Sequence, residues 1–492
     1  MPHLIIIELK WYGLYMDGEI KKIVFTPSLF YHYSICPHWI WNDIYGDPEK
    51  KKEISEFTSK ILEEGVLHEE KYIQGLDAVK IETKDVAEGF KETLKHMKKG
   101  APLIYQGSIQ AEIDGVQFRG RPDLLEKHDG KSQFGNWFYA PVDIKSSREL
   151  KPEHLMQLAL YGMILERIQN FFPEEVSIIN RDFTHVRHIL TLLDRDKTKK
   201  KINDILAVIR GAKPPLTLTS ACHNSNPWWG ECLKEAVEKN DLALIYNFNS
   251  KAFDDLRANG INTVADLAHA DLSLLPKIRF ASPEVLDKKR MQAKALIEKK
   301  VIRLSSIEMP EAPLKIFFDI EGDPFLNVEY LFGFWISEAG RDPYYKYFLA
   351  EKPEEEGKMW QEFLLWVKNL PENYKVYHYH HYESVKLKQL GERYSRIPEL
   401  QIFENSMFDM AKMVMESVIF PVYFYSIKDI AKYLGFSWRH EKAGGAQSIL
   451  WYEEWLEKKD RGVLEDVIKY NEDDVRATEF LYEWLKNPQN NK

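Results

Sequence analysis

The chain has 492 residues, of which 44% are hydrophobic and 29% charged, and carries a net charge of −9 at neutral pH. At about 150 residues per domain this length suggests roughly three domains, and the composition is that of a soluble globular protein. Three cysteines cannot staple so long a chain, which excludes a disulfide scaffold and fits a reducing cytoplasm. No apolar run approaches the roughly 20 residues of a membrane helix, and the negative balance argues against a surface that binds nucleic acid all over.

The first residues, MPHLIIIELKWYG, hold an apolar run too short for a signal peptide and interrupted by an acid. Ile23 to Gly46 is rich in aromatics, with a helix start at Thr26-Pro27-Ser28 and a single Cys36 before Pro37. A helix is expected over roughly Ile54 to Tyr72, with His68 near its end. Three basic runs, Lys50–Lys52, Lys95–Lys99 and Lys197–Lys201, read as solvated faces or as local tracks for a phosphate backbone. Val116 to Glu126 reads as a strand around a Gly-x-Pro bend that carries Asp123, and Val142 to Ser147 as a second strand. Asp143 and Lys145, two apart, then share one face. An acid beside a lysine suits phosphodiester cleavage, because the acid can hold a metal and the lysine can orient water or stabilise developing charge. An amphipathic helix is expected over His154 to Leu165, with Gln157 and Tyr161 one turn apart.

In that order His68, Asp123, Asp143-x-Lys145 and Gln157-x-x-x-Tyr161 resemble the RecB-like branch of the PD-(D/E)xK nucleases. The resemblance implies a restriction-endonuclease-like α/β core, with Asp123 and Asp143 as metal ligands and Lys145, His68, Gln157 and Tyr161 completing the site. RecB-like nucleases often hold a four-iron four-sulfur cluster on one cysteine upstream of the core and three downstream. Here Cys36 is upstream and Cys222 and Cys232 downstream, with Ser225 where a further cysteine would stand. The set is one thiolate short. His223 or Ser225 could supply a fourth ligand; otherwise Cys222 and Cys232 are loop cysteines beside Trp228 and Trp229.

From Leu233 to about Lys300 the pattern is helical. Leu244 to Leu272 reads helix, Gly260-containing turn, helix, with Thr263 as a cap. It loosely resembles a helix-hairpin-helix, a module that grips the DNA backbone, and fits a connecting helical domain equally well. Val301 to Pro313 reads as a linker.

The last third begins with LKIFFDIE, Leu314 to Glu321, an apolar strand ending in Asp319 and Glu321 on one face. Strands over Glu329–Ser337 and Pro343–Leu349, a helix over Glu355–Asn369 and a strand over Val376–Tyr379 follow, with Glu383 where the chain turns into a helix. Asp409 reads as an N-cap or a supporting acid, Ser426 as a cap with Asp429 in the first turn, and Lys442 to Gln447 as a flexible loop. In Val467 to Leu485 the residues Val467, Val475, Phe480, Leu481 and Leu485 fit a helix on a core, and Tyr470 and Asp474 share a face. Asp319-x-Glu321, Tyr382-Glu383 and Tyr470-x-x-x-Asp474 resemble the DEDDy branch of the 3′–5′ exonucleases of ribonuclease H-like fold, over about Pro313 to Asn487. By that resemblance Asp319, Glu321, Glu383 and Asp474 hold two metal ions and Tyr470 positions the attacking water. The third acid is usually Asp, and here it is Glu383.

The sequence therefore predicts a multi-domain α/β protein. Residues 1–232 form a RecB-like nuclease domain, 233–300 a helical domain, 301–312 a linker and 313–492 a ribonuclease H-like exonuclease domain. The expected activity is metal-dependent hydrolysis of DNA with Mg²⁺ or Mn²⁺, and the cysteines leave open an iron–sulfur cluster beside it. The alternatives are an RNA-processing exonuclease and a nucleic-acid-binding scaffold with one or both sites inactive. No glycine loop of the Walker type is present, so ATP-driven unwinding is not expected.

Overall fold

The computed structural model describes residues 14–15, 22–147, 151–440 and 444–487; the apolar run at the start and residues 441–443 lie outside them. The chain divides into two compact units, Met1–Glu235 and Ala236–Lys492. Helices and mixed sheets alternate through both. Among the described residues no helix is long and apolar enough to cross a membrane.

In the first unit a six-stranded sheet runs in the order 185–189, 175–179, 135–144, 124–132, 103–105, 79–80. Leu124–Ser132 and Gly135–Ile144 form an antiparallel hairpin, and Val142–Ile144 pairs in parallel with Ser177–Ile179. Helix Pro152–Gln169 crosses between those two strands. Residues 116 to 126 are not one bent strand. Val116–Gly120 pairs with Ile109–Ile113 and with Val24–Phe25 in a separate four-stranded sheet, while 124–132 belongs to the large one. Pro122 has no N–H for a ladder, so the chain changes sheets at that point. Helix 152–169 is also not amphipathic, because every residue from Leu158 to Leu165 is buried. A hydrophobic cluster drawn from both sheets and the neighbouring helices surrounds it.

In the second unit the central sheet has the order 344–349, 328–338, 314–323, 374–378, 407–409. Its middle strand, Leu314–Asp323, is antiparallel to Val328–Glu338 and parallel to Tyr374–His378. Both faces of that strand are covered, which explains its continuous apolar run. Ile316, Phe318 and Ile320 pack toward helix Glu356–Lys368. Phe317, on the opposite face, packs with Val475, Leu481 and Tyr482 of helix Arg461–Lys486. The two-residue period of the strand then puts Asp319 and Glu321 on the Phe317 face, opposite the helix that carries Tyr470 and Asp474.

Several expectations are corrected here. The helix expected from Leu244 begins at Ser250, because Asn247 takes a left-handed φ of 48° and Asn249 caps Ser250–Ala258. The 301–312 stretch is not a free linker: Ile302–Arg303 pairs with Val418–Ile419, and Val301, Ile307 and Met309 pack on a core cluster. Tyr246 stacks on Tyr425 with ring centroids 5.0 Å apart, so the helical stretch packs against the residues that follow the central sheet. Gly445–Gln447 do not form a loop but open helix Gly445–Lys458. Phe480 is 37% exposed and leans on Phe436 rather than entering the core.

Candidate active sites

Asp319 and Glu321 leave the central strand just before a register shift at Glu321/Gly322. One carboxylate oxygen from each of Asp319, Glu321 and Asp474 lies within 4.8 Å of the other two. Asp474 is held from two sides: Trp438 Nε1 donates to its Oδ1 at 2.6 Å, and the Tyr470 hydroxyl bonds it as well. Burial lifts the Asp474 carboxyl to about 6 even though both bonds pull it down. Burial and then the Asp474 charge push Glu321 up to about 8, against hydrogen bonds from Ser448 and Asn471. Asp319 is raised well above the usual carboxylate range by burial, then by Glu321, Asp474 and Glu383. Burial and the Asp474 charge also raise the Tyr470 hydroxyl, so it stays protonated and can donate.

Glu383 stands in the first turn of helix Tyr382–Arg393. It is 3% exposed, bonds Asp319 and lies 3.3 Å from His378 Nδ1. It thus joins the cluster through Asp319, outside the tight group of three. Asp409 caps helix Met410–Ser417 by accepting from Ala411 N and Lys412 N, and also accepts from His380 N.

The supporting groups were not singled out in the sequence. Asn471 Nδ2 donates to Asp319 Oδ2 at 2.7 Å, and Asn471 Oδ1 accepts from the Tyr345 hydroxyl at 2.9 Å. Room for this comes from Gly333, which pairs across the sheet with Asp319. A Cβ at Gly333 would stand 1.5 Å from Asn471 Oδ1. Lys428 Nζ lies 5.6 Å from the centres of both the Tyr470 and Trp438 rings, and its charge acts on Asp474. Asn471 follows Tyr470 directly and offered a signal; Lys428, Trp438 and Ser448 come from separate segments and offered none.

In the first unit, Asp123, Asp143 and Lys145 come together at the ends of the hairpin strands. Lys145 Nζ is 3.3 Å from Asp143 Oδ2 and 4.0 Å from Asp123 Oδ2. Lys145 stands one residue past the end of strand Gly135–Ile144, and its N–H donates to Ile179 O at 2.8 Å. Asp143 is fully buried, and apart from the Lys145 ammonium neither of its oxygens has a hydrogen-bond partner among the described residues. Asp123 Oδ2 accepts from Ile144 N at 2.6 Å. Burial raises the Asp123 carboxyl well above its usual range, against the attraction of Lys145. Burial opposes the Lys145 charge, yet Asp143 and Asp123 outweigh it and hold the ammonium above its usual value.

Gln157 Nε2 donates to the Tyr161 hydroxyl at 3.0 Å. Burial and the charges of Asp143 and Asp123 raise that hydroxyl. The Tyr161 ring lies against Gly120, where a Cβ would meet Cε1 at 2.4 Å. His68 faces elsewhere: its ring stacks on Phe183 with centroids 4.7 Å apart, and its surroundings are the Asn180 backbone, Arg181 and Lys71. The neighbouring Glu69 points to the acids instead. Gln106, at a left-handed φ of 54°, reaches from its amide nitrogen to both Glu69 and Asp123. For a residue other than glycine that backbone is uncommon and marks local strain at the site.

Cys36, Cys222 and Cys232 converge, with all three sulfurs within 4.8 Å of one another. Cys222 and Cys232 are not loop cysteines. They are buried on helices Ser220–Ser225 and Trp229–Glu238. His223 is exposed and faces the Trp229 ring, so it does not join the thiols.

Residues 316–486 match the family model described as the RNase_H superfamily. The C-terminal domain is therefore ribonuclease H-like, and its matched span contains Asp319, Glu321, Glu383, Tyr470 and Asp474. Among solved structures the chain is similar to the protein SSO0001, at 15% identity over 39% of this chain and 79% of that one, with a TM-score of 0.22. It is also similar to a candidate exonuclease from Eubacterium rectale, at 14% identity over 40% of this chain and 86% of that one, with a TM-score of 0.24. No curated protein sequence matches the chain.

Proposed function

We propose that the protein is a metal-dependent nuclease that hydrolyses DNA, with a 3′–5′ exonuclease site in the ribonuclease H-like domain and a second, RecB-like site in the first unit. The observation that carries the reading is the group Asp319, Glu321 and Asp474. Three carboxylates lie within 4.8 Å in a domain whose family model is ribonuclease H-like. Among the described residues none of the three is ion-paired with a lysine or arginine side chain. Hard oxygen donors crowded in this way fit Mg²⁺ or Mn²⁺.

Bound divalent cations supply charge stabilisation at the attacking and leaving oxygens of the phosphodiester. The residues do the rest. Asp319 is aimed by Asn471, and Asp474 by Trp438 and Tyr470, so the ligand oxygens are held before substrate arrives. The protonated Tyr470 hydroxyl, bonded to Asp474, would orient a water for attack. Glu383 completes the set beside Asp319. In the first unit Asp123 and Asp143, with Glu69 beside them, would hold the cation. Lys145, kept protonated by its acids, would orient water and meet the charge that develops on the phosphate.

The test is cutting of end-labelled single- and double-stranded DNA and RNA with Mg²⁺, Mn²⁺ or chelator, by wild type, Lys145→Ala, Asp319→Ala and the double variant. Stepwise shortening from the 3′ end that vanishes in Asp319→Ala assigns the second unit. Cutting lost only in Lys145→Ala assigns the first. Metal-independent or absent cutting by the wild type overturns the proposal, and preference for RNA substrates overturns its DNA part.

A further inference from the structure

The three cysteines form a site of another chemistry. Cys36 sits between helices Ser28–Ile35 and Pro37–Tyr45 with extended backbone, as the N-cap residue of the second. Cys36, Cys222 and Cys232 are 0%, 0% and 1% exposed, and all are free of disulfides. A buried cysteine ordinarily behaves as a small hydrophobe. Here polar donors are aimed at two of the three sulfurs, while the Cys36 thiol points to Thr217 O at 3.9 Å. Asn226 Nδ2 stands 3.3 Å from Cys222 Sγ and 3.7 Å from Cys232 Sγ. Asn42 Nδ2 approaches Cys232 Sγ at 3.9 Å. The Asn226 amide is fixed in this sense, because its Oδ1 accepts from Trp228 N at 3.0 Å. Amide donors turned toward sulfur stabilise thiolates, the form that binds metal.

We infer that Cys36, Cys222 and Cys232 bind one thiophilic cation of the Zn²⁺ class as a structural clip, and not a polynuclear iron–sulfur cluster. Spacing decides between the two. Thiolates around one tetrahedral ion, at metal–sulfur bonds of about 2.3 Å, stand about 3.8 Å apart. The three sulfurs here lie within 4.8 Å. A cubane cluster places each thiolate on a different iron at its periphery, so its thiolates are spread wider than those that share one ion. The ligand count agrees. The Asn226 oxygen is already engaged, His223 faces Trp229, and among the described residues no further Cys, His, Asp or Glu joins the three sulfurs, so the fourth position falls to a weaker ligand, water or the Ser225 hydroxyl. Cys36 lies near the start of the first unit and Cys222 and Cys232 near its end. An ion joining them closes almost the whole unit into a loop, which restricts the unfolded chain and couples metal binding to folding.

The test uses the full chain, purified anaerobically without affinity metals. Metal content and acid-labile sulfide are measured first, and the stripped protein is then titrated with Co²⁺. The expected result is stoichiometric zinc that survives dialysis. Co²⁺ should give thiolate charge-transfer absorption with the intense visible bands of a tetrahedral site, lost in Cys232→Ser and kept in Asp319→Asn. Iron with labile sulfide overturns the inference. So does a folded, metal-free wild type that shows no Co²⁺ thiolate bands and whose melting temperature does not respond to Zn²⁺. Should Cys232→Ser fail to fold, the wild-type metal content and Co²⁺ spectrum decide alone.

Discussion

Asp123 and Asp143 in the first unit share a cation that the chain itself provides: Lys145 stands 3.3 Å from Asp143 and 4.0 Å from Asp123. In the ribonuclease H-like domain Asp319, Glu321 and Asp474 crowd within 4.8 Å, and their partners are the neutral donors Asn471, Ser448, Trp438 and Tyr470 and one further acid, Glu383, on Asp319. Lys428 stays outside, over two aromatic rings. Uncompensated buried charge is costly, and the usual outcome is an upward pKa shift or an external cation. The first site is thus partly compensated by its own lysine, although burial still raises Asp123, whereas the second depends on an outside cation to be fully ionised near neutrality.

Activity gives the largest contrast. Asp319→Asn should reduce 3′ trimming by about a hundredfold or more, the scale of losing one group that stabilises transition-state charge, and Lys145→Met should do the same to the other activity. Rates from separate end-labelled substrates measure both. Equal loss of both activities in each single variant would merge the two sites into one.

Stability against pH comes next. Asp474 rises from 3.8 to about 6, and Glu321 from 4.5 to about 8. Folded pKa values above the unfolded ones mean that the folded state binds more protons. The stability contributed is complete below pH 4 and is lost as pH rises through about 6 and then about 8. In chelator, the melting temperature of the second unit should fall over that range, and Mg²⁺ or Mn²⁺ should flatten the fall by binding the ionised form. Calorimetry with and without metal checks this, and Glu321→Gln should remove part of the slope. A slope that ignores both metal and Glu321→Gln would show that other groups set it.

Gly333→Ala sharpens the same contrast from the side of packing. Its Cβ would meet Asn471 Oδ1 at 1.5 Å and the Tyr345 hydroxyl at 2.9 Å. Asn471 must then leave Asp319, at a cost of about 1–3 kcal/mol for a buried polar group deprived of its partner. Chemical denaturation measures the loss. Asn471→Ala in the Gly333→Ala background should add little, because the same contact is already broken.

How much of this was legible in the sequence follows from where each signal lies. Asp319-x-Glu321 and Tyr470-x-x-x-Asp474 each sit inside one regular element, so a two-residue or four-residue period gave their shared face directly. The apolar run of Leu314–Glu321 likewise announced a strand covered on both sides. Lys428, Trp438 and Ser448 reach the site through tertiary packing, and no local period connects them to it. Glu69 shows the limit within a single element: it neighbours His68, but one step along a helix turns a side chain by about 100°, so the acid meets Gln106, which also bonds Asp123, while His68 reaches Phe183. The strand change at Pro122 was visible as a bend, but which sheet each half joined depends on partners far along the chain.

Tyr161 gives the smallest effect and separates positioning from packing in the first unit. Its ring fills the space over Gly120, and its hydroxyl accepts from Gln157 Nε2 at 3.0 Å while facing the charges of Asp143 and Asp123. Tyr161→Phe keeps the ring and removes only the hydroxyl, so it should cost about 1 kcal/mol of stability, the net worth of one hydrogen bond. If the hydroxyl also helps orient substrate or water beside Asp143, the rate at the Lys145-dependent site falls several-fold with the fold intact. Gln157→Ala should then give a similar loss, since it frees the hydroxyl that Gln157 holds. An unchanged rate in Tyr161→Phe would reduce Tyr161 to a wall of the site. The Lys145–Asp143 pair would then be the part of the first unit that answers to the carboxylates of the second.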